Sequence, residues 1–295
     1  MEEESTKIIS NNKKSKIILL GKRSNLSTNL HKRIPHSIVC SSGEFSNMQG
    51  NFYKHLINSE LRIIINSFFP ACHITNKEYS LEEKKSLALN PIKEIFQIIE
   101  EKGLNVKKII YTSSSSVYGG LNANENTKIK KLEAPYPSMK FMAEKLVSQY
   151  ARDKDIDLTI ARIFNMYGDK DNFSIVSKIL DAYLNNSEIT INNFGSSVRD
   201  FIHVEDVCKV YKKLLFEQDI PILNIGTGIG VQVSSLLGIF QPFINPQNIA
   251  YKEVEEVNSV IADIEKLNKI IVTSNFISIL DYMRDKQNER NNLNH

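Results

Sequence analysis

Between Lys108 and Lys145 the chain reads KIIYTSSSSVYGGLNANENTKIKKLEAPYPSMKFMAEK, and this stretch limits the fold more tightly than any other. The apolar run Ile109-Ile110-Tyr111 has the pattern of a strand buried on both faces, as in a parallel sheet. Four serines, Ser113 to Ser116, stand where that strand ends. In open α/β sheets, ligands sit outside the carboxyl ends of the strands. Tyr136 and Lys140 follow, four residues apart, so a helix presents them on one face. A hydroxyl at a strand end, with a tyrosine and a lysine on a helix, forms a proton-transfer set. The lysine charge is expected to favour tyrosinate and lower the phenol's pKa.

These residues resemble the active-site segment of the extended short-chain dehydrogenase/reductase family, which includes NAD(P)-dependent nucleotide-sugar epimerases, dehydratases and 4-keto-reductases. The family pattern is a Ser/Thr three residues before Val-Tyr-Gly, with Tyr-x-x-x-Lys further on. Val117-Tyr118-Gly119 puts that hydroxyl at Ser114 and makes Tyr136 and Lys140 the pair. A lone Tyr-x-x-x-Lys arises often by chance; joined to SSSSVYG it is specific.

A chain of 295 residues is long enough for one large domain or two. Its hydrophobic share of 41% is globular. The net charge of +3 is small and the basic residues are spread out, which argues against a nucleic-acid partner. Cys40, Cys72 and Cys208 lack metal-ligand spacing and read as core thiols in a reducing compartment. No run approaches the ~20 apolar residues of a membrane span. The opening MEEESTKIISNNKKSK lacks a signal peptide's apolar segment and reads as a polar tail over residues 1–15. A cytoplasmic enzyme is the expectation.

In chain order, Ile17 to Leu20 reads as a first strand, followed by Gly21-Lys22-Arg23-Ser24-Asn25-Leu26-Ser27. A dinucleotide fold has glycines at three-residue intervals here, so that the backbone can approach a pyrophosphate at a helix N-terminus. The register matches the family's Gly-x-x-Gly-x-x-Gly, but only Gly21 remains; Ser24 and Ser27 take the other two places. Ser37 to Cys40 reads as a second strand, followed by Ser41-Ser42, with Glu44 the first acid. Leu61 to Phe69 reads as a third strand, and Asn90-Pro91 as the start of an amphipathic helix with Ile92, Ile95, Phe96 and Ile99 on its stripe, ended by Gly103. A strand over Leu158 to Ala161, a helix over Phe173 to Asn185 and a strand over Ile222 to Ile225 complete the strand–helix alternation.

Further segments carry the resemblance. Arg162-Ile163-Phe164-Asn165-Met166-Tyr167-Gly168 is similar to the family's Arg-x-x-Asn-x-Tyr-Gly, whose asparagine points at the substrate. RDFIHVEDV (Arg199 to Val207) is close to a second family motif; it implies Arg199 on a substrate phosphate, with Asp200 and Asp206 holding the loop and capping the next helix. His203 lacks companions at ligand spacing, so no metal is expected. Near residue 253, where the family often has a basic residue, this chain has Glu253, Glu255 and Glu256. Gly21-Lys22-Arg23-Ser24 and the segment after Gly168 resemble the GDP-fucose synthase branch, in which the loop arginine meets the 2′-phosphate of NADP. That branch's epimerising cysteine and histidine are replaced by Ser116 and Lys170.

The expectation is an α/β chain with a Rossmann-like doubly wound parallel sheet and a smaller C-terminal substrate-binding lobe. Residues 16–168 form mainly the NAD(P)-binding domain and 169–295 mainly the lobe, with the strand at 222–226 returning to the main sheet. The resemblance implies Ser114, Tyr136 and Lys140 as catalytic residues. It implies Gly21, Arg23, Ser24, Asn25, Leu26, Ser41, Tyr136 and Lys140 on a cofactor, NADP favoured over NAD, and Ser115, Ser116, Asn165 and Arg199 on a nucleotide-sugar. A homodimer is left open. Dehydratases of the family carry an acid pair where this chain has Ser115 and Ser116, which leaves 4-keto-reduction or 4-epimerisation. The rival from another class is a Rossmann-like binding protein with weakened catalysis, favoured by the glycine-poor loop.

Overall fold

The computed structural model describes residues 15–48, 50–66, 79–120, 123–130 and 132–293. The polar tail before Ser15, the Ser67–Phe69 end of the third expected strand and Cys72 lie outside them. The chain divides into two compact units. The first takes the described residues of Met1–Ser113, Ser138–Ile160 and Leu214–Pro221; the second takes those of Ser114–Pro137, Ala161–Lys213 and Ile222–His295.

The first unit is built mainly from β1 (Ser15–Leu20), α1 (Asn25–Arg33), β2 (Ile38–Cys40), α2 (Ser42–Asn47), α3 (Gly50–Ile57), β3 (Glu60–Ile65), α4 (Leu81–Glu101), β4 (Val106–Ser114), α5 (Pro135–Asp153) and β5 (Asp157–Ile163). The second is built mainly from β6 (Asn165–Tyr167), α6 (Ile175–Asn185), β7 (Ile189–Asn192), β8 (Val198–His203), α7 (Val204–Leu214), β9 (Ile222–Ile225), β10 (Gly230–Gln232), α8 (Val233–Phe240), β11 (Ile249–Lys252), β12 (Ser259–Val260), α9 (Glu265–Asn268) and α10 (Ile279–Leu293).

The main sheet has six strands in the order β2-β1-β3-β4-β5-β9. β1 runs parallel to both β2 and β3, and β3 runs parallel to β4. With its flanking helices this is the Rossmann-like, doubly wound architecture expected from the sequence. The apolar runs explain it: Ile18 to Leu20, Ile63 to Ile65, Ile109 and Ile110 are all fully buried. Each such side chain contributes about 1.5–3 kcal/mol. Strand order reverses between β1 and β3, which defines a switch point outside their carboxyl ends. Leu20 is in register with Ile65, and Ile65 with Tyr111, so β1 and β3 end level beside β4.

One helix start differs from expectation. α4 begins at Leu81 rather than at Asn90-Pro91. Ser80 and Glu83 form a capping box, with the Ser80 hydroxyl accepting from Glu83 N at 3.2 Å and Glu83 Oε2 accepting from Ser80 N at 2.7 Å. Pro91 therefore sits inside the helix and removes one backbone donor there. The expected stripe of Ile92, Ile95, Phe96 and Ile99 is buried, and Gly103, at φ +59°, follows the helix end as expected.

In the second unit β8 pairs with β6 and β12 in parallel and with β10 antiparallel. Its core includes Tyr167, Ile179, Phe201, Leu236, Phe240 and Met283. α6 starts at Ile175, two residues later than expected, because the Ser174 hydroxyl caps it by accepting from Ser177 N at 3.1 Å. Asp200, fully buried, accepts from Thr227 N and Gly228 N at 2.8 Å, from the Thr227 hydroxyl at 2.7 Å and from Ala262 N at 3.2 Å. It holds the loop as expected. The cap of α7 falls instead to His203, whose Nδ1 accepts from Glu205 N at 3.2 Å. Asp206 turns to Ile277 N at 2.7 Å and to Lys209 at 2.6 Å. Gly168, at φ +100°, lies against the His203 ring, where any side chain would collide.

The Asp200 contacts predict a stability effect. Asp200→Asn turns one acceptor oxygen into a donor facing backbone N–H groups. The expected loss is about 2–4 kcal/mol, read as a lower urea midpoint. An unchanged midpoint would show that the loop is held by other contacts.

Candidate active site

The switch point is built from the loop after β1 and the end of β3. Gly21 takes φ +104°, and a Cβ there would lie 2.9 Å from Asn66 Cβ, so the close approach requires glycine. Ser24 caps α1, its hydroxyl accepting from Ser27 N at 2.9 Å. Ser27 is fully buried, and its hydroxyl accepts from the Asn66 amide. The same amide reaches the Ser24 hydroxyl at 3.4 Å. Asn66 Oδ1 accepts from the Thr112 hydroxyl at 2.5 Å. Asn25 Oδ1 accepts from Asn29 Nδ2 at 3.0 Å, and Leu26 is buried in the core.

The turn after β2 is closed on itself. Ser41 caps α2 in a second capping box with Glu44, and Lys22 pairs with Glu44 at 2.8 Å. The Lys22 hydrogen bond is the main cause holding the Glu44 carboxyl below its usual range. Arg23 is exposed and pairs with no acid among the described residues. Burial pushes the Cys40 thiol up to about 12, so it is inert.

At the end of β4, the Ser114 hydroxyl acts on the Tyr136 phenol and draws its pKa down. The Ser114 hydroxyl accepts from Ser116 N at 3.2 Å, opening a 3-10 turn over Ser115–Tyr118. Ser116 Oγ is buried and has no hydrogen-bond partner among the described residues. α5 carries Tyr136 and Lys140 one turn apart. Lys140 is 5% exposed and donates to the Thr112 carbonyl at 2.9 Å. Burial brings its pKa down to about 8, while the Glu144 charge acts the other way. The expectation of a lowered tyrosine pKa is not met: burial pushes the Tyr136 phenol up and outweighs the Ser114 hydrogen bond, which pulls it down.

Two residues expected on the substrate have partners within the chain. Asn165 Nδ2 donates to the Asp200 carbonyl at 2.7 Å, which ties β6 to β8. Arg199 pairs with Glu256 at 2.9 Å and donates to the Val198 carbonyl at 2.9 Å. Asn193 Nδ2 reaches the other oxygen of Glu256 at 3.2 Å.

Sequence reasoning missed Asn66, Thr112 and Glu144. The only signal for Asn66 was a polar residue closing the run Leu61 to Ile65 at a strand's carboxyl end. Thr112 and Glu144 gave none, because their importance lies in what they face across the fold.

A dinucleotide suits these residues. The glycine cradle at Gly21 is kept, the first turn of α1 offers backbone N–H groups, and Ser24 and Ser27 are accommodated by the Asn66 amide. Among the described residues no cluster of three or more His, Cys, Asp or Glu could hold a metal ion, and no helix is long and apolar enough to cross a membrane.

Comparison with known proteins agrees with this geometry. The model of the NAD dependent epimerase/dehydratase family matches residues 74–226. A dTDP-D-glucose 4,6-dehydratase of Dictyostelium discoideum is 28% identical over 187 residues, 58% of this chain and 42% of that protein. A putative UDP-glucose 4-epimerase of Methanocaldococcus jannaschii is 31% identical over 177 residues, 56% of this chain and 57% of that one. The chain thus spans about half the length of these curated relatives. Among solved structures, MoeE5 in complex with UDP-glucuronic acid and NAD shares the fold, with a TM-score of 0.72 and 21% identity over 86% of this chain and 92% of that one. Because the family match covers more than half of its residues, the chain belongs to the NAD dependent epimerase/dehydratase family.

Proposed function

We propose that the protein is an NAD(P)-dependent oxidoreductase that reduces the 4-keto group of a nucleotide-linked sugar. The observation that carries this reading is the placement of Ser114 at the end of β4 and of Tyr136 and Lys140 one turn apart on α5. When bound, the nicotinamide supplies the hydride. Tyr136 gives its phenolic proton to the ketone oxygen as that oxygen becomes an alkoxide. A phenol whose pKa is raised by burial is protonated at neutral pH, which suits a donor. Ser114 orients that phenol. Lys140 would hold the cofactor ribose and present its charge to the tyrosine. Gly21, Ser24, Asn25 and Leu26 would meet the pyrophosphate, and Ser41 the adenosine end. On the substrate side Ser115, Ser116 and Asn165 would face the sugar, and Arg199 the diphosphate, in place of Glu256.

A 4-epimerase is the second reading, supported by the M. jannaschii relative's name. It needs Tyr136 to work as a base in one half of its cycle and as an acid in the other. Elimination of water lacks its acid pair at Ser115 and Ser116. The deciding experiment supplies 4-keto-6-deoxy sugar nucleotides with NADPH and follows nicotinamide absorbance. Stoichiometric oxidation with one new alcohol is expected; interconversion of two 4-hydroxy sugar nucleotides without net oxidation would defeat the reductase reading.

Tyr136→Phe removes the proton but keeps the ring. Turnover should fall about 10²–10⁴-fold with cofactor affinity little changed; near-normal turnover would exclude the assignment.

NADP is favoured because Glu44, the acid nearest the end of β2, is already engaged by Ser41 and Lys22, while Arg23 stays exposed beside the loop. A charge-assisted hydrogen bond contributes about 1.5–3 kcal/mol. Arg23→Ala should therefore weaken NADPH roughly tenfold or more in a fluorescence titration and leave NADH nearly unchanged. Equal weakening of both would remove the argument for NADP.

A further inference from the structure

Two buried charged residues lie one turn apart on α5, and only Lys140 has a role so far. Glu144 is 5% exposed, and the Ser113 hydroxyl donates to its Oε1 at 2.6 Å. Ser113 is itself buried. The preceding residue of β4, Thr112, accepts from Lys140 through its carbonyl at 2.9 Å. Two consecutive residues of β4 thus pin two successive turns of α5.

Among the described residues, few groups answer the Lys140 charge. On its own helix Glu144 is the acid that acts on it, and Tyr136 lies one turn back. From β4 the Tyr111 ring faces the ammonium, its centroid 5.5 Å from Nζ, and adds a π face without charge. From α4, Ala88 and Leu89 pack against Met139 and carry no charge.

We propose that Glu144, held in place by Ser113, is the counter-charge that keeps the buried Lys140 ammonium protonated, and so acts as a positioning residue for the cation beside the catalytic tyrosine. The proposal rests on the reading of Lys140 as that cation. An ammonium taken out of water loses its protonated form first. Burial already draws Lys140 down to about 8, so little margin remains above neutral pH. A carboxylate accepts only, so a buried hydroxyl donor fixes it without taking charge from the lysine.

The test reads Lys140 directly in the full chain. Lysine labelled at Cε and Nζ is titrated by NMR, with the resonance assigned by Lys140→Arg. In Glu144→Gln the midpoint should fall by roughly one pH unit, since removing an opposite charge one buried helical turn away lowers a lysine pKa. Ser113→Ala should move it the same way by less. NADPH affinity, followed by fluorescence against pH, should lose its alkaline limb at correspondingly lower pH. A folded Glu144→Gln with an unmoved midpoint overturns the proposal and makes Glu144 a packing group. Should that variant fail to fold, an unmoved midpoint in Ser113→Ala overturns it equally. A Lys140→Met variant with full turnover would defeat the cationic-partner reading instead, and the NMR midpoints would still decide whether Glu144 holds the charge.

Discussion

The Asn66 side chain sits where β1 and β3 end level beside β4, and both ends of its amide are engaged. Its nitrogen donates to the Ser24 and Ser27 hydroxyls, and its oxygen accepts from Thr112. Parallel strands buried on both faces supply the cohesion of this sheet, but their ends release polar groups into a dry interior. Leaving one buried donor or acceptor unpaired costs about 1–3 kcal/mol. One amide settles three hydroxyls at once, and its backbone N–H goes to the Leu20 carbonyl at 3.0 Å. Serine at positions 24 and 27 of the loop after β1 is therefore matched: the Ser27 hydroxyl has a fixed partner in Asn66, just past the end of β3.

From Asn66 the order passes along β4. Thr112 gives its hydroxyl to Asn66 and its carbonyl to Lys140, while Ser113 gives its hydroxyl to Glu144. Successive residues of a strand point to opposite faces, so adjacent positions can serve different neighbours. Desolvation sets the direction of both titrations on α5. It raises the neutral acid Tyr136 and lowers the cation Lys140, and the specific partners, Ser114 and Glu144, each act against it. The site's electrostatics come from this opposition more than from the Tyr136–Lys140 spacing alone.

Apolar periodicity made the fold legible. The buried runs at Ile18, Ile63 and Ile109 and the stripe of α4 were visible because burial is the dominant favourable term and leaves a residue pattern. The family resemblance singled out Ser114, Tyr136 and Lys140, and their places at a strand end and one helical turn apart followed from the spacing. What stayed hidden was governed by local competition or by partners distant in sequence. Asn90-Pro91 looked like a helix start, but the Ser80–Glu83 capping box begins α4 a full ten residues earlier than Pro91. Asp206 looked like a cap, yet His203 stands one residue ahead of α7 and reaches its N–H first. The direction of the Tyr136 pKa needed the desolvation of its half-buried ring, which no motif carries.

Arg199 shows how the chain handles a largely buried cation. Its guanidinium is largely buried and anchored on the Val198 and Asn258 carbonyls at 2.9 and 3.4 Å. Carbonyl dipoles alone leave a cation undercompensated away from water, so an anion is required beside it. Glu256 meets that need within the chain, and Asn193 steadies it from the strained turn in which Asn193 and Phe194 both take positive φ. The neighbouring Glu253 and Glu255 are exposed, so water and salt screen them. The acidic run at 253–256 thus acts on Arg199 through Glu256 alone. An arginine N–H bonds a carboxylate oxygen and a phosphate oxygen through the same kind of charge-assisted contact. A diphosphate arriving at Arg199 would therefore exchange one anion for another, and its gain would be the difference between two similar contacts rather than the whole of one.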